Sequence, residues 1–395
     1  VGGMERVAGE SFGPAARRVL WLPIRSACHL AVRACLTLRV CTRYGAHAIV
    51  WWVQVESPLL RSLKKLHKNL QGSDDVLDID AVVYTRPFLD IITSEGTSAL
   101  LTAIALSSLN KFLLYGFICP EAPRAQEAMN RIVLAATRCR FESIDKHDDE
   151  TALMRLLELL SQCVRSSAGV LLTDDSVWLA MQCCNTMADA EKSSFLLRST
   201  ANATLSHIVL HMFSRLPAIL AAEQAHERAA AAAALYHPRA TALPAVIAEA
   251  GHQHVAHPYG VPVLTRTLSW LSARIGEAGA DRGSTLAALE LINTVLETGG
   301  TTLGAVPPIV AVCQTELCKY LIGVCRTQDI GILTTSLRVV FNLFHVMKQH
   351  LKVQLEVFFT SVYLHLAESA YVRCPPAAAA TRAPRARHPC LPCAR

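Results

Sequence analysis

Residues 84–117 read YTRPFLDIITSEGTSALLTAIALSSLNKFLLYGF, and their spacing predicts two helices joined by a short break. Pro87 is expected in the opening turn of the first helix, where its missing N–H leaves nothing unpaired. Phe88, Ile91 and Ile92 then recur at helical spacing. Ser94-Glu95-Gly96 forms the break, with glycine supplying backbone freedom. Thr97 or Ser98 can cap the second helix by accepting from its free N–H groups. That helix carries Leu100, Leu101, Ile104, Leu106, Leu109, Phe112 and Leu113, so it is apolar nearly all round and belongs between other helices. Ser107, Ser108, Asn110 and Lys111 interrupt it, which argues against a membrane span.

Working outward, amphipathic stripes at helical spacing continue on both sides. Leu59, Leu63, Leu66 and Leu70 make one stripe, and Arg61, Lys64, Lys65 and Lys68 lie off it as a solvated face. Asp74, Asp75, Asp78 and Asp80 follow in a connecting loop, and Cys119–Pro123 is a turn. Ile132, Leu134 and Ala135 begin another helix. Leu153, Leu156, Leu157, Leu160 and Val164 form the next face, preceded by acids that suit a helix start. Thr173 caps a helix with Val177, Ala180, Met181 and Cys184 inward. The one after it uses Leu205, Ile208, Val209, Met212, Phe213 and Leu216, and Pro217 ends it.

Residues 218–257 change character. An alanine run at Ala229–Ala234 precedes His237, His252, His254 and His257, and the segment reads as a low-complexity linker with some helical tendency. HQHVAH offers imidazoles but no fixed partner spacing, so a metal site is not expected. From Pro258 helices return: Leu264, Leu268, Leu271 and Ile275 make one face, and Ser284 opens a second helix through Leu289, Ile292 and Leu296 to Gly299-Gly300. Pro307-Pro308 precede a third with Val310, Cys313, Leu317, Leu321 and Val324 inward. Leu333, Leu337, Val340, Phe344 and Met347 line a fourth, and Leu351, Leu355, Phe358, Val362 and Leu366 finish the set. No alternating run has strand length, so the fold class is all-α.

The two ends differ from this pattern. No acid occurs from Ser11 to Val55 while six arginines punctuate apolar residues, a transit-like composition that is nevertheless poor in Ser and rich in Cys and Trp. Mistranslated upstream sequence is the preferred reading. The chain begins with Val1, which reads as a fragment or a flawed gene model. After Ala370 the helical pattern stops, and Cys390-Leu391-Pro392-Cys393 with Cys374 and His388 fits no standard zinc spacing. An out-of-frame or intron-derived tail is expected there. Hydrophobic residues make up 52% of the 395, which excludes overall disorder. The net charge of +6 is concentrated near the ends, so nucleic acid is not an expected partner. Fourteen scattered cysteines suit a reducing cytosol better than a disulfide framework. No phosphate loop, HExxH or GxSxG motif is present, and no cofactor is expected. Cys313, Cys318 and Cys325 read as small core residues on one helix.

Several stretches carry a family resemblance: Arg86–Leu89, Ala105–Leu113, PLLRSLKKLHKNL (58–70), RCRFESIDKHDDE (138–150) and SFLLRSTANATLSHIVLHMFSRL (194–216). They resemble the DCB domain, named for dimerisation and cyclophilin binding, of the large Arf guanine-nucleotide exchange factors, in the Golgi brefeldin-A-resistant branch with GNOM and Gea proteins. YGVPVLTRTLSWL (259–271) and SLRVVFNLFHVMKQHLKVQLEVFF (336–359) look like the start of the family's second domain, HUS.

The resemblance implies two right-handed stacked-helix domains of armadillo-like solenoid type, DCB-like at 57–217 and partial HUS-like at 258–369. Residues 1–56, 218–257 and 370–395 fall outside these domains. It implies a non-catalytic regulatory region that self-associates, docks DCB on HUS in cis or trans, and meets Arf or Rab GTPases and Golgi membrane indirectly, from the cytoplasm. The alternative is a stand-alone scaffold of the same architecture. The family's Sec-seven exchange domain and its Asn-Tyr-Asp-Cys-like HUS box have no counterpart here. In this branch DCB self-association involves a lysine of the Asn-Lys-Phe motif and a glutamate before the next leucine-rich helix. These map by motif onto Lys111, in LNKFLLY, and Glu150, in HDDETALM.

Overall fold

Apolar stripes on short helices cannot be buried alone, so each helix must pack its stripe on neighbours. The computed structural model describes residues 58–71, 80–236, 257–276, 281–364 and 366–367. All regular structure among them is helical, and the one extended contact is an isolated parallel bridge between Ser98 and Glu142. Expectations for residues 1–57, Asp74–Asp78, His237, His252, His254 and the tail from 370 lie outside the described residues.

The helices are α1 (Pro58–Gln71), α2 (Ala81–Ile92), α3 (Ala99–Leu114), α4 (Ala125–Thr137), α5 (Lys146–Arg165), α6 (Asp174–Ala188), α7 (Phe195–Ser214) and α8 (Leu216–Tyr236). Then come α9 (Val261–Ile275), α10 (Arg282–Gly299), α11 (Pro307–Val324, with a π-turn at Cys313–Leu317), α12 (Ile330–Met347) and α13 (Lys352–Phe358). They pack in two rows. In one row α2, α4, α6, α9 and α11 lie each beside the next; in the other α3, α5, α7, α10 and α12 do the same. Consecutive pairs, such as α2 with α3 and α9 with α10, join across the rows. Helix α8 stands aside with few neighbours. One core cluster runs without interruption from Leu63 to Val362.

The stretch at 84–117 forms the helix pair predicted for it. Ser98 is the N-cap of α3, its Oγ accepting from the Leu101 N–H at 3.4 Å. Thr97 instead ties the break together, its hydroxyl donating to the Ser94 and Ile91 carbonyls at 2.8 and 3.1 Å. Phe112 is the centre of an aromatic cluster, edge-on to Tyr84, Phe88 and Phe117 at 5.8, 5.3 and 6.4 Å between ring centres. The Tyr84 hydroxyl donates to the Phe117 carbonyl at 3.0 Å, so its buried polar end is satisfied.

Pro87 is not in a first turn. Asp80 caps α2, accepting from the Val82 N–H at 2.8 Å, and Pro87 falls in the helix interior. The carbonyl four residues back, to which proline has no N–H to donate, belongs to Val83, a residue on the exposed side. Helix starts also come earlier than the apolar pattern indicated. α4 begins at Ala125 rather than near Ile132, and α10 begins at Arg282 behind the Asp281 cap rather than at Ser284. In both cases the first turn is polar or small and has no stripe to betray it. Pro217 separates two helices, sitting in the first turn of α8, so the segment expected as linker starts as helix to Tyr236.

At α12 the core side is Ser336, Val339, Val340, Leu343 and Met347, while Leu333, Leu337 and Phe344 are half-buried. Leu355 of α13, expected inward, is 43% exposed because no described helix lies beyond it. Gly300 closes α10 with φ +50°, a conformation side chains disfavour. The stretches Phe195–Ala229 and Ile330–Met347 are long and apolar enough to cross a membrane by composition. Here each gives one face to the helical core: Leu205, Ile208, Val209 and Met212 in the first, Val339, Val340 and Leu343 in the second.

Phe112→Ala removes the ring at the centre of the cluster, which is 1% exposed. It is expected to destabilise by about 3–5 kcal/mol, the usual cost of a buried Phe→Ala change. Urea denaturation followed by circular dichroism at 222 nm measures this.

Candidate interaction surface

Helices α3, α5 and α7 lie side by side in one row, and a groove of about 730 Å³ opens between them. It is lined by apolar Leu114, Met154 and Leu196 and by polar Asn110, Glu150, Arg155, Glu158 and Arg165. α3 and α5 run parallel: Ala99 and Ala103 cluster with Ala152 near their starts, and Asn110 donates to Glu158 at 2.9 Å further along. Arg155 pairs with Glu158 at 2.7 Å.

Of the two residues singled out by motif, Glu150 lines this groove and Lys111 does not. Lys111 is exposed beside Asn110, without an ion pair among the described residues. Glu150 lies just past the first turn of α5, about 12 Å back along the helix from Glu158 at 1.5 Å per residue. It is half-buried and accepts a hydrogen bond from the Ser194 hydroxyl. Ser194 is the N-cap of α7, its Oγ accepting from the Leu197 N–H at 3.1 Å. Glu150 therefore braces the start of α7, a connection across 44 residues that no local pattern announces. Just beyond the cap, Phe195 and Leu196 are 80% and 62% exposed, while Leu197 is buried.

A second set of contacts joins the helices before residue 237 to those after 256. The Tyr259 N–H donates to the Leu172 carbonyl at 2.7 Å and the Gly260 N–H to Asp174 Oδ1 at 3.0 Å. Arg215 donates to the Tyr259 hydroxyl at 2.7 Å and its guanidinium stands 4.8 Å from the ring centre. Burial raises the Tyr259 phenol, and the adjacent Arg215 charge opposes that. Trp178 of α6 meets Trp270 of α9 edge-on at 6.0 Å, with Arg266 4.0 Å from the Trp178 ring centre. Arg274, largely buried, reaches Asp189 at 3.0 Å and also Asn185 and Ser284. Beside this seam a second hollow of about 680 Å³ is lined by Phe195, Asp189, Arg274 and Asp281 among others. Sequence patterns missed Tyr259, Arg215, Trp178, Trp270 and Arg274, because each acts through a partner distant in the chain.

Among the described residues no group of three or more His, Cys, Asp or Glu is placed to hold a metal ion. The thiols are not poised as nucleophiles. Burial pushes Cys163 and Cys318 up to about 12 and Cys183 and Cys325 up to about 11. Cys313, Cys318 and Cys325 are buried, as their spacing on one helix suggested.

The family described as Mon2/Sec7/BIG1-like, HUS domain, matches residues 266–374. The ARF guanine-nucleotide exchange factor GNOM of Arabidopsis thaliana is 27% identical over 386 residues, covering 83% of this chain and 27% of that protein. The Golgi-specific brefeldin A-resistance guanine nucleotide exchange factor 1 homolog of Caenorhabditis elegans is 33% identical over 161 residues, covering 40% of this chain and 8% of that protein. ARF guanine-nucleotide exchange factor 1 of Saccharomyces cerevisiae is 29% identical over 159 residues, 40% of this chain and 11% of that protein. The chain thus spans about a quarter or less of the length of these curated relatives. Its HUS domain and the region before it are homologous to the N-terminal region of large Arf exchange factors.

The burial of the thiols has a direct readout. At pH 8 a thiol with pKa near 11 is thiolate to about one part in a thousand, and the thiolate is the reactive form. Iodoacetamide is therefore expected to label peptides carrying Cys163, Cys184 and Cys313 only after unfolding, read by mass spectrometry of native against urea-treated chain.

Proposed function

We propose that this chain, homologous to the N-terminal region of the large Arf guanine-nucleotide exchange factors, is the non-catalytic regulatory region of such a factor. In this reading it works at Golgi membranes from the cytoplasmic side, in vesicle-mediated transport. It self-associates through its DCB-like helices, docks them on its HUS-like helices, and so governs recruitment and the output of an exchange domain toward Arf. The two rows of stacked helix pairs support an armadillo-like solenoid, an architecture that offers long surfaces to protein partners. The boundary between the two proposed domains falls at α8, which leaves the rows and leads into residues 237–256.

The observation that carries this reading is the seam. The segment entering the HUS-like region is fastened to α6 and α7 by Tyr259, Gly260 and Arg274, and the core passes through the junction. Such a contact is a physical form of DCB–HUS docking. It transmits a change in one region to the other, because a packed junction resists gradual deformation.

Two measurements test the proposal. Catalytic amounts of the chain are expected to leave the release of a fluorescent guanine nucleotide from Arf at its intrinsic rate, since no segment here resembles a Sec-seven domain. Lys111→Ala with Glu150→Ala is expected to weaken self-association with helix content unchanged. Exposed pairs contribute about 0–1 kcal/mol each, and a symmetric dimer uses each twice, so the dissociation constant should rise a few-fold to about thirtyfold. Analytical ultracentrifugation of the full chain against the double variant measures it, and identical dimer fractions across a dilution series would remove these residues from the interface.

A further inference from the structure

Helix α1 opens the described stack and packs chiefly on α2. Its buried stripe is Leu60, Leu63 and Leu66, with His67 half-buried at the edge. Arg61, Lys64, Lys65 and Lys68 all lie off that stripe and are exposed, and the helix has no acid. At 3.6 residues per turn these four cations fall within about 100° of arc, opposite the buried stripe. Arg61, Lys65 and Lys68 have no ion pair among the described residues. Every other described helix with three or more charged residues mixes the signs, as α5, α8 and α10 do.

The charges around α1 do not neutralise this face. On α2, Arg86 and Asp90 are both exposed and opposite in sign. Asp80, at the start of α2, is paired with Arg124 at 2.7 Å. In the sequence Glu56 precedes α1, and Asp74, Asp75 and Asp78 follow it, outside the described residues. The end of a helical stack needs a polar outer face for solubility. That need accounts for polarity but not for a single sign, since interspersed charges serve solubility as well.

The residue types distinguish between partners. Protein interfaces are anchored by aromatic residues and arginine and are depleted in lysine. The outer face of α1 has three lysines and one arginine beside Pro58 and Asn69, with no aromatic or large apolar side chain exposed among those described. Lysines are hydrated point charges on flexible stems, which suit a diffuse anionic surface better than a shaped pocket.

We infer that the outer face of α1 lies on an anionic phospholipid bilayer, with Arg61, Lys64, Lys65 and Lys68 among the headgroups. This deepens the recruitment reading and rests on it for the membrane. The contact is electrostatic, so it is reversible, weakens with salt and follows the charge of the bilayer.

The test is co-sedimentation of the full chain with vesicles of phosphatidylcholine, with and without phosphatidylserine. Binding is expected only where phosphatidylserine is present, and it should fall as sodium chloride is raised. Each cation near such a surface contributes about fivefold, so Arg61→Gln with Lys65→Gln and Lys68→Gln should weaken binding about a hundredfold. Glutamine matches lysine and arginine in helix propensity, so circular dichroism and melting temperature should stay at the wild-type values. Removing the same charge from the rows, by Arg131→Gln, Arg155→Gln and Arg338→Gln, should change binding by about twofold or less. Equal binding by wild type and the α1 variant would overturn the inference and leave the recruitment reading in place. An equal loss in the row variant would overturn the assignment to α1, because net charge alone would then account for binding. A wild-type chain that ignores the phosphatidylserine vesicles would overturn the bilayer as partner. Binding of polyglutamate by that chain, lost in the α1 variant, would then assign the face to an acidic polypeptide. Vesicle binding that depends on α1, in a chain that shows no Golgi enrichment when expressed in cells, would uphold the lipid face and overturn the recruitment reading.

Discussion

Helix α3 has to be buried on more than one side, and the packing of the first half follows from that. With Leu101, Ala105, Leu106, Leu109, Phe112 and Leu113 around its circumference, it cannot rest on a single neighbour as an amphipathic helix does. Helix α2 covers it from the other row through Tyr84 and Phe88, and α5 covers it within its own row. The same solution repeats with less apolar helices, each pair using the previous one as its floor. The start of α7 is where this stops: Leu197 goes in, and Phe195 and Leu196 find nothing to cover them.

The junction between the two homologous regions belongs to the same logic. A chain that leaves the rows at α8 and re-enters at Tyr259 has no local reason to come back at a given place. Its return is specified by directional contacts: two backbone N–H groups satisfied by Leu172 and Asp174, and Arg274 spread over Asp189, Asn185 and Ser284. Apolar burial alone is non-directional. Hydrogen bonds and planar guanidinium contacts supply the register that α9 needs to continue the row.

Glu150 illustrates how a residue can be selected for one reason and found to serve another. By motif it is a charge before a leucine-rich helix. In the structure it is half-buried and bonded to the N-cap of α7, so its removal disturbs the start of that helix as well as the charge. Lys111, by contrast, is exposed with no ion pair among the described residues. A variant that changes both residues therefore combines an electrostatic effect with a positional one.

The all-α class, most inward faces and the break at Ser94–Gly96 were legible in the sequence, because helical periodicity is local and a buried stripe repeats every turn. Thr173 and Ser98 as caps were legible for the same reason. Helix starts at Ala125 and Arg282 were not, since their first turns are small or polar, and the start at Ala81 was not, since a mid-helix Pro87 mimics a start. The outward turn of Leu355 escaped the pattern too, because periodicity names a face without saying whether a neighbour exists to cover it. Only the tertiary structure decided which faces meet: Glu150 with Ser194, Arg215 with Tyr259, Trp178 with Trp270. Those pairs lie more than forty residues apart, and their encounter depends on the stacking of every helix between them rather than on any local preference.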